Sequence, residues 1–212
     1  MKKIAVLISG SGTNLQAIID SVESGFLSGV SIAAVISNRE DAFGLTRAER
    51  HGIPTGILRH TGFPTREEFE DRLINTLEGY GVDLIALAGF MRVFTPRFVR
   101  HFSQRIMNIH PALLPSFPGT HAQGRAFDYG VRFSGCTTHF VDQGTDTGPV
   151  ILQAVVPVLP DDTEQTLSER ILTEEHRIYP QAIQLIAEGK IEIAGRKVKI
   201  REHGKIDDTP LH

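Results

Sequence analysis

Asn108 and His110 stand two apart in the apolar run 106–110, and Pro111 follows directly. In an extended chain residues i and i+2 face the same side, so the amide and the imidazole point together while Met107 and Ile109 pack opposite. Pro111 biases His110 towards extended geometry and restrains its ring. An amide and an imidazole side by side can offer two donors to one developing oxyanion. The same pair also reads as an Asn and a His that satisfy loop backbone groups, and among nine histidines a single one carries little weight. His110, His121 and His139 could converge with Asp146 on a metal. However, no H-E-x-x-H or comparable ligand spacing occurs, so no metal is expected. Asp146 lies between Gly144 and Gly148 in a polar loop. A carboxylate brought beside an imidazole orients the ring and favours its charged form. On spacing alone, Asp146 is a solvated turn aspartate.

A second candidate is the turn Gly10-Ser11-Gly12-Thr13-Asn14. It joins an apolar run to a helical pattern, so main-chain N–H groups at the helix start can face an anion. Leu15 stands where a dinucleotide fingerprint needs its last glycine, and no Gly-Lys-Ser/Thr follows for a nucleoside triphosphate. A phosphomonoester fits better than NAD or ATP. A plain tight turn between strand and helix is the other reading.

These groups need a frame. Residues 4–8, 31–37 and 82–87 read as strands buried on both faces. A short strand fits 53–58. Leu15, Ile18, Ile19 and Val22 fall on one face of a helix, and 43–51 forms another that Gly52 ends. Thr65 and Glu68 spell a capping box. Phe69, Leu73, Ile74 and Leu77 stripe the helix it opens. Alternating strands and helices predict a parallel sheet, doubly wound and Rossmann-like in the N-terminal half, with ligands at the carboxyl ends of its strands. Pro111, Pro115, Pro118 and Gly119 exclude regular structure from 111–120. Residues 133–141 and 150–158 read as strands, the antiparallel additions of the C-terminal half. Residues 163–188 are helical, with Pro180 kinking or dividing them. A small hairpin fits 190–200, and 201–212 is polar and frayed. The division is 1–189, with a phosphate-binding half at 1–100 and a catalytic half at 101–189, followed by a hairpin and tail at 190–212.

Composition narrows the classes. The 212 residues suit one large α/β domain, and 41% hydrophobic residues are enough for a core. With 22% charged residues and a net charge of -3, no basic excess exists to neutralise nucleic acid. The single cysteine, Cys136, allows neither an intrachain disulfide nor a thiolate zinc cluster. It falls in a buried strand and reads as core, not nucleophile. No stretch is apolar and long enough for a membrane, and 4–8 is too short for a signal peptide. Cytoplasm is the expected compartment.

Gly10-Ser11-Gly12-Thr13-Asn14-Leu15, Ala88-Gly89-Phe90-Met91-Arg92, Asn108-Ile109-His110-Pro111-Ala112-Leu113-Leu114-Pro115, and Thr138-His139-Phe140-Val141 with Asp146-Thr147-Gly148-Pro149 occur in this order. Together they resemble the 10-formyltetrahydrofolate-dependent formyltransferase family, over about residues 3–189. The Asn-x-His-Pro and Asp motifs are general to that family. The start Ser9-Gly10-Ser11-Gly12-Thr13-Asn14 and the short length resemble the branch that formylates glycinamide ribonucleotide in de novo purine biosynthesis. The resemblance implies that Asn108, His110 and Asp146 are catalytic. It implies that Gly12, Thr13 and Asn14 hold the ribonucleotide phosphate, Glu175 the ribose hydroxyls, and that Pro111 lines the substrate side. Arg66, Met91, Arg92, Val93 and Phe94, with Asn108, Asp142 and Asp146, would hold 10-formyltetrahydrofolate as co-substrate, the pterin mostly through main-chain contacts. The implied transfer is direct, through a tetrahedral intermediate, with His110 cationic, no metal, and a monomer or homodimer acting on small molecules. Leu172 stands where some relatives have a polar residue near the substrate, and Thr147 where a small residue is more usual. Rivals are a formyltetrahydrofolate hydrolase, which usually carries a further N-terminal domain, and a non-catalytic phosphosugar-binding module. A methionyl-tRNA formyltransferase would need a further C-terminal domain, and a nicotinamide-dependent reductase is disfavoured by Leu15.

Overall fold

The apolar run of the first strand has no polar face, so it must be covered on both sides. In Lys2–Ile8 (β1), Ile4, Val6 and Ile8 join one hydrophobic cluster, and Ala5 and Leu7 join another across the sheet. The structure is a computed structural model that describes residues 1–202 and 205–206. Strand β1 is central in a seven-stranded sheet. The others are Val30–Ser37 (β2), Thr55–Ile57 (β3), Leu84–Leu87 (β4), Ile106–His110 (β5), Phe133–Phe140 (β6) and Val150–Pro157 (β7), in the order β3-β2-β1-β4-β5-β6-β7. β1 to β5 run parallel, and β6 and β7 are antiparallel. This is the doubly wound sheet with antiparallel additions that the sequence predicts.

Thr13–Glu23 (α1) and Glu164–Ala187 (α6) cover one face with Leu15, Ile18, Ile171 and Ile178. Arg66–Gly79 (α3) and Pro96–His101 (α4) cover the other with Phe69, Leu73, Leu77 and Phe98. Phe43–Arg50 (α2) and Ala122–Tyr129 (α5) complete the layers. Strand order reverses between β1 and β4, so the turns leaving their carboxyl ends diverge and leave a crevice. Among the described residues, no helix is long and apolar enough to cross a membrane.

Several local expectations change. The sequence patterns do not predict α4 and α5, although Thr95 before Pro96 is a readable helix start: its hydroxyl accepts from Phe98 N. α6 runs unbroken through Pro180, which is buried with Ile178, Tyr179, Ala182 and Ile183 around it. Packing of that face on the sheet outweighs the one missing intrahelical bond. Only half of the Thr65 capping box forms. Thr65 accepts from Glu68 N, but its hydroxyl points back to the Glu68 carboxylate. The reciprocal box forms instead at Thr163 and Thr166. Ile191–Ala194 (β8) and Lys197–Glu202 (β9) pair antiparallel, with Lys205–Ile206 (β10) beside β9. Arg201 is thus held in a strand, its amide bonded to Lys190 O. The remainder of the tail expected to fray, 203–204 and 207–212, lies outside the described residues.

Candidate active site

β5 ends at the crevice side of the sheet, and its antiparallel pairing with β6 sets Asn108 opposite His139. The segment after β5 is irregular, as the prolines require, but firmly held. Thr137 Oγ1 donates to Ala112 O at 2.7 Å and accepts from Leu114 N at 3.1 Å, and Gln153 Nε2 donates to Leu114 O. The segment then passes His110, whose Nε2 lies 2.9 Å from Phe117 O.

Asp146 reaches this strand end because its loop lies flat on β6. A Cβ on Gly148 would sit 1.8 Å from Phe140 O, so only glycine permits that approach. Asp146 itself is left-handed, φ 55°, a conformation that aspartate tolerates better than most residues. Its Oδ2 accepts from Gly119 N at 2.7 Å and faces His110 Nδ1 at 3.3 Å. Its Oδ1 lies 3.5 Å from Asn108 Nδ2 and 3.6 Å from His139 Nε2. The spacing-based picture of a solvated turn aspartate is therefore overturned: the side chain is only 14% exposed. Burial pushes its carboxyl up, but hydrogen bonding from His139 and the Gly119 amide, with the charged form of His110, outweighs that and holds it at about 2. Asp146 is an anion at neutral pH.

His110 is buried, and burial lowers its pKa against the opposing pull of Asp146 and the Phe117 carbonyl. The resemblance implies a cationic ring; burial works against that charge in the free protein, while Asp146 and the Phe117 carbonyl work for it. Both ring nitrogens nevertheless face oxygens. A neutral imidazole has one N–H to give, so the arrangement gains a second hydrogen bond when the ring takes a proton. His139 is almost fully buried, and its Nδ1 lies 2.9 Å from Phe140 O. Its Nε2 lies 3.2 Å from Asn108 Nδ2. The Asn108 amide nitrogen thus lies between His139 and Asp146, donating to Asp146 at the limit of hydrogen-bond length.

The turn after β1 lies across the crevice. Gly12 caps α1 in the left-handed region, φ 69°, with no side-chain cap. The first-turn amides of α1 have no acceptor within the helix. A Cβ on Gly12 would meet Gly44 Cα at 2.6 Å, and Gly44 N donates to Gly10 O, so α2 braces the turn from behind. Residues 9–14 with Ala88, Gly89 and Met91 line a cleft of about 200 Å³. Glu175 on α6 is buried and accepts from Asn14 Nδ2 at 2.8 Å. Burial raises its pKa, and Asn14 opposes the rise. One turn later Tyr179 donates to Leu87 O at 2.8 Å, with Met107 O at 3.3 Å from the same hydroxyl.

The other expected residues divide by exposure. Met91 and Val93 present their side chains outward, and Arg66, at the start of α3, is exposed. Phe94 is buried and stacks on Phe98 at 4.1 Å between ring centroids, so only its main chain can meet a ligand. The Asp142 carboxylate holds its own loop, accepting from Gly144 N and the Thr147 hydroxyl. Thr147 is thus a loop brace. Pro111 is half-buried beside His110, and Leu172 is half-buried on α6. His121 is exposed at the start of α5. Among the described residues, no group of three or more His, Cys, Asp or Glu is arranged to hold a metal ion. From the sequence alone, His139 is only a candidate metal ligand. Its alternation with Thr137 on β6 was the available signal that it faces the site.

Residues 2–183 match the family model described as formyl transferase. Phosphoribosylglycinamide formyltransferase of Escherichia coli (strain K12) is 46% identical over 90% of this chain and 89% of its own length. The trifunctional purine biosynthetic protein adenosine-3 of Drosophila pseudoobscura pseudoobscura is 48% identical over 90% of this chain, which spans 14% of that protein. The solved structure of glycinamide ribonucleotide transformylase 1 from Symbiobacterium toebii superposes with a TM-score of 0.93 at 52% identity, covering 95% of each chain.

Proposed function

We propose that this chain, which belongs to the formyl transferase family, moves the formyl group of 10-formyltetrahydrofolate onto the amine of glycinamide ribonucleotide, a step of purine biosynthesis. The names of its full-length relatives suggest the acceptor and the reaction. The observation that carries the chemistry is one carboxylate, Asp146, 3.3 Å from the buried His110 imidazole and beside the Asn108 amide.

The acceptor phosphate sits on the uncapped start of α1, where Gly12, Thr13 and Asn14 offer main-chain N–H groups. Glu175, fixed by Asn14, takes the ribose hydroxyls, and Pro111 lines the amine side. The pterin lies along the main chain of residues 91–94, and Arg66 meets the acidic end of the folate. The neutral amine attacks the formyl carbon, and the carbonyl electron pair moves to oxygen. Asn108 turns the N–H of its long contact with Asp146 towards that oxyanion. The attacking nitrogen now carries a surplus proton. His110 takes it, because protonation gives the ring its second hydrogen bond, and Asp146 stabilises the imidazolium. Collapse re-forms the carbonyl, breaks the bond to folate N10, and His110 returns the proton to N10. The products are the formamide and tetrahydrofolate, with no covalent enzyme intermediate.

The test supplies 10-formyl folate with and without glycinamide ribonucleotide, following folate absorbance and the formylated product. Folate release that requires the amine and matches product is the expected result. Release at the same rate without the amine is hydrolysis, and no release describes a binder; either overturns the reading.

A further inference from the structure

The segment 91–94 has no regular structure, yet it is the one on which the folate reading rests. Among the described residues, the main-chain groups of Arg92, Val93 and Phe94 make no hydrogen bond with the protein. Three consecutive free peptide units form a donor and acceptor edge, suited to a planar heteroaromatic ring with alternating polar atoms. Such an edge is useful only if it is held still, since each freely rotating residue adds an ordering cost on binding.

Both ends of the segment are tied by buried side chains from other elements. At one end, Met91 N donates to Ser9 Oγ at 2.9 Å. Ser9 is buried at the end of β1, and its own hydroxyl hydrogen goes to Asn38 Oδ1 at 2.6 Å, leaving its lone pairs for Met91. At the other end, Thr95 N donates to Glu70 Oε1 at 2.7 Å, and the Thr95 hydroxyl donates to Glu70 Oε2. Glu70 is 2% exposed. A carboxylate is rarely so deep unless its acceptors are filled, and here both bonds go to one residue. Thr95 also caps α4 through Phe98 N, so the pin reaches into that helix. Glu70 lies one turn beyond Arg66 on the same face of α3. Between the pins, Phe94 is locked by its stack with Phe90 and Phe98.

We propose that Ser9 and Glu70 are positioning residues for the folate, pinning Met91 and Thr95 so that the main chain of residues 92–94 is presented as a fixed edge. The proposal rests on the reading of residues 91–94 as the folate side. Glu70 sets that edge in register with Arg66. Ser9 sets it in register with the phosphate turn that begins one residue later, so the two substrates share a fixed separation.

Four variants test this: Ser9→Ala, Glu70→Gln, Thr95→Val and Thr95→Ser, each checked for native circular dichroism. Ser9→Ala and Thr95→Val should raise KM for 10-formyltetrahydrofolate about tenfold, the worth of one well-made hydrogen bond to a buried group, while kcat and KM for the ribonucleotide change little. Thr95→Ser keeps the hydroxyl and should restore the wild-type KM. A purely structural role would lower thermal stability without moving one KM apart from the other, and that result overturns the proposal. Hydrogen exchange provides the independent reading: Met91 N–H should exchange faster in Ser9→Ala and Thr95 N–H faster in Glu70→Gln. Unchanged exchange refutes the pins whatever the ligand. Wild-type protein that binds no 10-formyl folate by calorimetry overturns the folate role and the functional reading together, even with the exchange effects intact.

Discussion

In the turn at residues 10–14, the groups available to a ligand belong to the main chain. In the cluster at Asn108, His110 and Asp146, they are side chains that are already engaged with one another. The turn is shaped by an absence of atoms: Gly12 and Gly44 meet where any side chain would collide. The cluster is shaped by partners brought from far along the chain, across 27 residues for Gly119 and Asp146 and 38 for Asn108 and Asp146. A backbone site is pre-organised by local geometry and holds its ligand in every state of the reaction. A network of filled side chains does little until charge develops, and then its weakest contact is the one that exchanges. On the proposed reading the first arrangement serves binding and the second serves turnover.

Breaking the cluster should give the largest effect. Asn108→Ala and His110→Ala should each lower kcat by about 10²–10³-fold, as for loss of one donor or proton carrier, with KM for the ribonucleotide little changed. Steady-state kinetics at saturating folate measures both, and a large KM change with intact kcat would reverse the assignment of the two regions. Gly12→Ala tests the opposite side. It forces a side chain onto φ 69° and against Gly44, a strain of about 1–3 kcal/mol, so KM for the ribonucleotide should rise by tenfold or more while kcat is largely kept. An analogue without the phosphate should not distinguish this variant from wild type. If it does, the turn is not where the phosphate sits.

The subtlest test is in pH. Activity through a neutral His110 rises with pH, with a midpoint below the ordinary histidine value because burial lowers it. Asp146 opposes that shift, favouring the charged ring. Asp146→Asn removes the opposition, so the acidic limb of kcat/KM should move to lower pH as well as drop in height. A limb that moves upward would mean that Asp146 does not act on this ring.

The same contrast governs what could be read from the sequence. The glycine turn, the strand at 4–8 and the helix striped by Leu15, Ile18 and Ile19 are local, and periodicity and turn chemistry reveal them. Asn108 and His110 were readable as a pair because two residues along a strand share a face. Asp146 was not, since nothing within its own loop shows that Gly148 lets the loop lie on β6; only resemblance brought it in. His139 faces the site through register, a property of two strands. Glu70 is a charged residue beside Phe69 in a helical stripe, and its burial depends on a threonine 25 residues away. Pro180 misled in the other direction. Its local preference argues for a break, and the packing of the residues around it overrides that preference.

Helix α6 carries Glu175 and Tyr179 on neighbouring turns of one face. The first reaches the start of α1 through Asn14, and the second ties Leu87, at the carboxyl end of β4, to Met107 of β5. Between them lies a fixed count of residues, and a helix rotates about 100° with each one. Inserting or deleting a single residue there would turn one anchor away from its partner, however well the new residue suited a helix. The interval between 175 and 179 therefore acts as a ruler. Composition within it can drift, but its length cannot, and the separation between the glycine turn and the central strands is recorded in that number.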